Sequence, residues 1–94
     1  MKKKILVVVA NYYKDISKEL TIRSKKLLIE HRVTNNLIKV PGVFEIPVVI
    51  AKNIKKYDGF IALGCVIKGE TPHFDFISQT ATDAIMQLSI DYKK

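Results

Sequence analysis

Three short apolar runs, separated by segments in which apolar residues recur at helical spacing, constrain the fold of this chain most strongly. The runs are KKILVVVA (3–10), LIKV (37–40) and FIALGCVI (60–67). The first and third are continuous apolar stretches of strand length, as expected for strands covered on both faces. The resulting order, β-α-β-α-β-α, predicts an α/β fold in three layers, α/β/α, with a parallel sheet in the middle.

The first helical segment lies between the first two runs. Asp15 is predicted to cap this helix, which is expected to end near His31. The sequence TNN (34–36) is typical of a turn and is predicted to precede the second strand. The apolar residues of the helix recur at helical spacing: Ile16, Leu20, Leu27 and the flanking Leu28.

The second helix is predicted within IPVVIAKNIKK (46–56), beginning at Glu45 or Pro47, because proline is tolerated in a first helical turn. Asp58 and Gly59 then predict a turn into the third strand. A third helix is predicted to follow KGETPH (68–73) and to run almost to the end of the sequence. Its apolar positions are Phe74, Ile77, Ala81, Ile85 and Leu88.

Length and composition indicate one small globular domain, 1–94, in which 48% of the residues are hydrophobic. No apolar run approaches the about 20 residues of a transmembrane helix, so no membrane partner is expected. The single cysteine, Cys65, cannot form an internal disulfide, which favours a cytoplasmic location. The two histidines, His31 and His73, are far apart and have no second ligand nearby, so no metal site is expected.

The net charge of +7 comes from 16 basic and 9 acidic residues. The lysines are scattered, and Arg23 and Arg32 are the only arginines, whereas nucleic-acid-binding surfaces concentrate both residue types on one face. No nucleic-acid partner is therefore expected. A positive field would still raise the encounter rate with a phosphorylated small molecule.

Three loops follow the carboxyl ends of the predicted strands, where open parallel sheets bind their ligands. They are NYY (11–13), PGVFE (41–45) and KGETPH (68–73). Tyr12 offers a flat ring on which a heterocycle could stack, although tyrosine is also common at strand ends. The second loop combines a glycine turn, an aromatic residue and a carboxylate, and it also fits a tight turn before a helix.

The third loop has the features of a phosphate seat beside a proton carrier. Thr71 suits the N-cap and Pro72 the first position of the following helix, while Gly69 lets the backbone approach a ligand closely. The free N–H groups and partial positive charge of a helix start bind phosphate, and Lys68 adds a cation. The same field favours a neutral His73 that can accept a proton. An ordinary capped helix with a surface histidine would fit the local pattern as well.

Taken together, the motifs resemble the lumazine synthase family of riboflavin biosynthesis. The chain reads VPGVFEIP and then YDGFIALGCVIKGETPHFDFIS, where the family typically reads PGAFEIP and YDAVIALGCVIRGETPHF. The opening ILVVVANYYKDIS matches the family more loosely. The resemblance covers essentially the whole chain and implies a flavodoxin-like strand order.

The resemblance implies an enzyme, 6,7-dimethyl-8-ribityllumazine synthase, a transferase. The family condenses 5-amino-6-(D-ribitylamino)uracil with 3,4-dihydroxy-2-butanone 4-phosphate to give the lumazine, phosphate and water. An amine attacks the ketone to form an imine, phosphate leaves, and the ring closes with loss of water. The resemblance implies no metal and no organic cofactor, and it implies a homo-oligomer, a pentamer or a larger shell.

The site residues follow from the same resemblance. Glu70 and Thr71 would seat the butanone phosphate, and His73 would be catalytic by moving protons. The residues that would bind the pyrimidine substrate lie in the three loops or just before the third: Tyr12, Val43, Phe44, Glu45, Cys65, Val66 and Ile67.

The chain also departs from the family pattern. Three βα units are present, whereas the family's fourth strand and last helices are missing, so 1–94 is expected to be a C-terminally incomplete domain. Tyr12 replaces phenylalanine and Val43 replaces alanine. Lys68 replaces arginine, so the bidentate hydrogen bonding of a guanidinium group is lost. Activity of the 94-residue form is therefore in doubt. The alternative is a truncated, non-catalytic remnant that binds a heterocycle or only assembles with other chains. A flavodoxin-like flavin binder fits less well, because NYYKD is not a Ser/Thr/Gly-rich phosphate loop.

Overall fold

A three-stranded parallel sheet forms the middle of the described structure, a computed structural model that describes residues 3–65, 67 and 74–94. A single turn of 3-10 helix at Val43–Glu45 precedes the second α-helix. The strands and α-helices of the described residues alternate along the chain: β1 (Lys4–Ala10), α1 (Lys14–Glu30), β2 (Thr34–Val40), α2 (Ile46–Lys52), β3 (Gly59–Leu63) and α3 (Phe74–Tyr92).

The strand order is β2-β1-β3, and both neighbouring pairs are parallel. Central β1 pairs with both neighbours, so that Val9 lies beside Lys39 of β2 and beside Leu63 of β3. This order is the one that begins a flavodoxin-like sheet. The prediction of an α/β fold with a parallel sheet between two helical layers is confirmed.

The two faces of β1 contact different helices because successive side chains of a strand point to opposite sides. Leu6, Val8 and Ala10 are almost fully buried in one apolar cluster with residues of α2 and flanking residues of α3. Full burial of a valine or leucine side chain contributes about 1.5–3 kcal/mol, so this cluster is the principal core. Val9 lies on the other face, which contacts α1.

Helix α1 differs from the expectation drawn from its apolar residues. Ile16 and Leu27 are 41% and 57% exposed, while Ser17 is 4% exposed and faces the sheet. The hydroxyl of Ser17 donates to the backbone oxygen of Ala10 at 2.6 Å, which fixes the rotation of the helix about its axis. The helix was therefore predicted correctly, but a polar contact orients it.

Two predictions about where elements begin are wrong: the cap of the first helix and the turn before the second strand. Asp15 lies in the first turn of α1, whose N-cap is Tyr13 without a side-chain hydrogen bond. The supposed turn TNN (34–36) is the first half of β2 and pairs with β1. Tertiary contacts override the turn propensity of this segment. The side chain of Asn35 accepts a hydrogen bond from Lys25, and that of Asn36 donates one to Tyr57.

The second helix and the third strand are also shorter than predicted. Helix α2 ends at Lys52, and turns rather than helix follow it to residue 56. Strand β3 ends at Leu63, so Cys65 and Ile67 lie beyond the strand into which the sequence placed them. No helix of the described residues has the length and apolar character needed to cross a membrane.

Candidate active site

The carboxyl ends of the three strands lie along one edge of the sheet. The backbone N–H of Asn11, just past β1, donates to the oxygen of Val40 at the end of β2, at 2.9 Å. This bond holds the start of the Tyr12 loop beside the β2–α2 connection. The start of the first loop is thus hydrogen-bonded directly to the strand end from which the second loop departs.

Gly64 brings the end of β3 to the same place. A Cβ atom built on Gly64 would lie 2.7 Å from Cγ2 of Val43 and 3.4 Å from Cβ of Ala10. A carbon–carbon separation below 3.0 Å is not tolerated without movement, so only glycine allows this approach. The absence of a side chain at Gly64 is what lets the β3 end, the β2–α2 connection and the β1 end meet.

The β2–α2 connection presents one aromatic ring and one carboxylate. Phe44 is 51% exposed, whereas Glu45 is half-buried. The Oε2 atom of Glu45 is inaccessible to solvent and has no hydrogen-bond partner among the described residues. It lies close to Gly42, where an added Cβ would be 3.2 Å from the same oxygen. Buried carboxylate oxygens are normally paired, so this one is poised to accept a hydrogen bond.

The β1–α1 connection presents two tyrosines in contact. The rings of Tyr12 and Tyr13 have centroids 4.9 Å apart and planes at 79°, an edge-to-face arrangement. Tyr12 is 67% exposed and Tyr13 is half-buried. The contact supports the Tyr12 ring from one side while its remaining surface stays available for stacking.

A cavity of about 260 Å³ lies between the β2–α2 connection, the end of β3 and helix α3. Val43 and Gly64 line it together with residues of α3 that the sequence did not assign to a site. Ser78, Thr82 and Ile85 recur at intervals of four and three residues, which places them on one helix face. This spacing in the sequence could have identified the three residues as one helix face lining a site.

The third loop is only partly within the described residues. Cys65 and Ile67 are half-buried just past β3. Val66, Glu70, Thr71 and His73, like Lys68, lie outside the described residues. The phosphate seat and the proton carrier therefore stay predictions. Across the described part of the chain, no three His, Cys, Asp or Glu side chains come together as a metal site would require.

The fold and the described loops define a class of protein: a parallel α/β sheet that gathers aromatic, carboxylate and apolar groups at the strand ends, where such sheets bind small molecules. Comparison with known families identifies the particular one. Residues 2–94 match the family model of 6,7-dimethyl-8-ribityllumazine synthase, and the chain belongs to this family.

Similar proteins bear the same description. The chain is 41% identical to a 6,7-dimethyl-8-ribityllumazine synthase of Bartonella bacilliformis, with 92% of this chain and 59% of the relative covered. It is 41% identical to one of Agrobacterium fabrum, with 92% and 63% covered. A third, from Vesicomyosocius okutanii, is 37% identical, with 98% and 61% covered. The chain thus spans about 60% of the length of these curated relatives.

Proposed function

We propose that this protein is a 6,7-dimethyl-8-ribityllumazine synthase of riboflavin biosynthesis. The observation that carries the proposal is the family match over residues 2–94, which includes both characteristic motifs. The reaction joins 5-amino-6-(D-ribitylamino)uracil to 3,4-dihydroxy-2-butanone 4-phosphate and releases phosphate and water. It needs positioning, hydrogen bonding and proton transfer, all of which side chains and backbone groups supply.

The pyrimidine substrate would occupy the edge where the three strand ends meet. Its ring would stack on Tyr12, whose exposed face and edge-on support from Tyr13 suit a flat heterocycle. The ribityl hydroxyls would contact Val43, Phe44 and Glu45. The unpartnered Oε2 of Glu45 supports this assignment, because a substrate hydroxyl would supply the hydrogen bond that the described residues do not.

The remaining groups would come from the segment after β3. The backbone of Cys65, Val66 and Ile67 would hold the pyrimidine edge, and Glu70 and Thr71 would seat the phosphate of the second substrate. His73 would take a proton from the attacking amine and return protons as phosphate and water depart. The glycine contact between Gly64 and Val43 supports this arrangement, since it brings the segment to the β2–α2 connection.

We also propose that the protein acts in the cytoplasm as a homo-oligomer, a pentamer or a larger shell. Family membership supports assembly, and the lone Cys65 suits a reducing compartment. Several large apolar side chains on the helices are exposed and would be available for contacts between copies, among them Val48, Met86 and Ile90.

The test supplies both substrates and follows lumazine absorbance and phosphate release together. We expect one phosphate per lumazine, and a rate about 100-fold lower for His73→Asn with unchanged pyrimidine binding. Pyrimidine binding without turnover would support the non-catalytic alternative. If the protein neither binds the pyrimidine nor forms the product, the proposal is wrong.

A further inference from the structure

A second concave surface lies on the opposite face of the sheet from the cavity beside Val43 and Gly64. It is a cavity of about 510 Å³ between α1 and the ends of β1 and β2. Its floor is apolar and includes Val9 and Leu37, whose positions on neighbouring strands place them on the α1 face. We call this surface the lysine groove, because Lys14, Lys18 and Lys39 line it.

The three lysines of the groove carry uncompensated charge. All three are exposed, and none of them forms an ion pair with another described residue. No acidic side chain lines the groove. Glu19 on the same helix is paired with Arg23 at 2.8 Å, so it is not available to neutralise them. Three cations therefore converge on one concavity whose described lining contains no acidic side chain, since Asp15 of the same helix turn is not among the lining residues.

Two of these lysines lie near the N-terminal end of α1. Lys14 is the first residue of α1, where the helix dipole disfavours a cation, and Lys18 follows one turn later; Asp15 is the acidic residue of the first turn. The N-cap, Tyr13, gives the first turn no side-chain acceptor. An anion in the groove would relieve both the repulsion between the lysines and the unfavourable interaction with the dipole.

The lining also indicates what kind of anion would fit. A volume of about 510 Å³ is within the usual range for small-molecule sites, which combine an apolar floor with a few polar groups. The hydroxyls of Ser17 and Thr21 already donate to backbone oxygens, so the lysines and the side chain of Asn11 are the available donors. We propose that the lysine groove is a second binding site, for a small organic phosphate monoester with an apolar or flat body.

The lysine groove is distinct from the cavity beside Val43 and Gly64. Val9 and Lys39 of the groove lie on the α1 face, whereas the cavity beside Val43 and Gly64 lies between the sheet and α3. The inference does not rest on the proposed function. It would hold for a protein that catalyses nothing, and catalysis could proceed without it.

The test is calorimetric titration of the whole chain with phenyl phosphate, inorganic phosphate and phenol. We expect saturable binding of phenyl phosphate below about 10 mM, weaker binding of inorganic phosphate because it leaves the apolar floor empty, and none of phenol. The triple variant Lys14→Gln, Lys18→Gln and Lys39→Gln should weaken phenyl phosphate binding at least about tenfold.

A matched variant controls for net charge. Lys26, Lys55 and Lys56 are exposed and do not line the groove, so replacing these three by glutamine also lowers the charge from +7 to +4. This variant should bind phenyl phosphate about as the unmodified chain does. An equal loss in both variants would show that only the overall field matters and would overturn the proposal.

Hydrogen exchange on the unmodified chain locates the site without relying on any variant. Phenyl phosphate should slow exchange in the first turns of α1 and at the end of β2, residues 14–21 and 37–39. Protection confined to the segment after β3 would assign the phosphate to the other site, and the lysine groove would be rejected. If phenyl phosphate binding does not saturate in the calorimetric titration, the lysine groove is likewise rejected as a binding site.

Discussion

At the scale of single residues, one buried hydroxyl sets the position of α1. Ser17 is the buried polar side chain of the described core, and it donates to the oxygen of Ala10. Ala10 is the last residue of β1, directly before the loop that carries Tyr12. The hydrogen bond therefore ties the helix to the strand end from which a proposed substrate contact departs.

Ser17→Ala should lower the free energy of unfolding by about 1–3 kcal/mol, because it leaves a buried carbonyl without its partner. Urea unfolding measures the change. Ser24 on the same helix is half-buried and makes no side-chain hydrogen bond to the described residues, so Ser24→Ala is the matched control. Equal effects of the two substitutions would contradict the role given to Ser17.

Glu45→Gln tests the unpartnered carboxylate. The change should raise the apparent KM for the pyrimidine about tenfold, because a charge-assisted hydrogen bond to the ribityl chain is weakened, while the KM for the butanone phosphate stays constant. Stability should be unchanged or slightly higher, since the variant removes a partly buried charge that the described residues do not pair. Glu19→Gln, in an exposed ion pair, is the control and should leave both KM values unchanged. An equal rise in the KM values of both substrates would contradict the assignment of Glu45 to the pyrimidine substrate.

At the scale of elements, the sheet edge depends on one glycine. Gly64 lets the end of β3 pack against Val43, and this contact links the second and third strand ends. Cγ2 of the β-branched Val43 is the atom nearest to a Cβ built on Gly64. The two positions are thus expected to be coupled, as contacting residues in a packed interior usually are.

Gly64→Ala should cost about 1–3 kcal/mol of stability and weaken pyrimidine binding, because the new methyl group displaces Val43. Adding Val43→Ala to this variant should restore most of the lost stability and most of the lost pyrimidine affinity. Gly59→Ala is the matched control, since its Cβ would lie 2.9 Å from Cδ1 of Ile5 at the far end of the same strand. That variant should keep pyrimidine affinity and should lose less stability than Gly64→Ala, because the Cδ1 end of Ile5 can rotate aside. Additive rather than compensating effects at positions 43 and 64 would refute the coupling.

The elements also show how far sequence reasoning reaches. The order of strands and helices was predicted because continuous apolar runs and helical periodicity report burial directly. The first half of β2 was missed because its asparagines are satisfied by Lys25 and Tyr57, which are distant in sequence. The Gly64–Val43 contact and the lysine groove were missed for the same reason. Both depend on which strands become neighbours, and residue spacing alone does not give that.

At the scale of the whole molecule, β1 is paired on both sides, whereas β3 is paired only with β1 among the described residues. The other edge of β3 leaves backbone N–H and C=O groups without a described strand partner. Its residues are apolar and carry none of the charges that usually protect a sheet edge. Exposed apolar side chains on α2 and α3 add surface that favours association.

We therefore expect the 94-residue chain to self-associate in solution. Sedimentation velocity at two concentrations should give species heavier than 10.7 kDa, shifting to larger sizes as the concentration rises. Ala62→Lys on β3 should reduce association, because an exposed charge on an edge strand opposes pairing. A lysine at exposed Ala51 of α2 is the control. A monomer at all concentrations would contradict this expectation.

The central claim is that the three strand ends form a single pyrimidine site, and amide NMR shifts on titration with 5-amino-6-(D-ribitylamino)uracil test it most directly. We expect perturbations at Tyr12, at residues 43–45 and at residues 65–67, all following one saturation curve. The amide shifts of the first turns of α1, which follow the Tyr12 loop and border the lysine groove, should stay unchanged. Perturbation of only one of the three segments, or separate saturation curves for them, would contradict the claim.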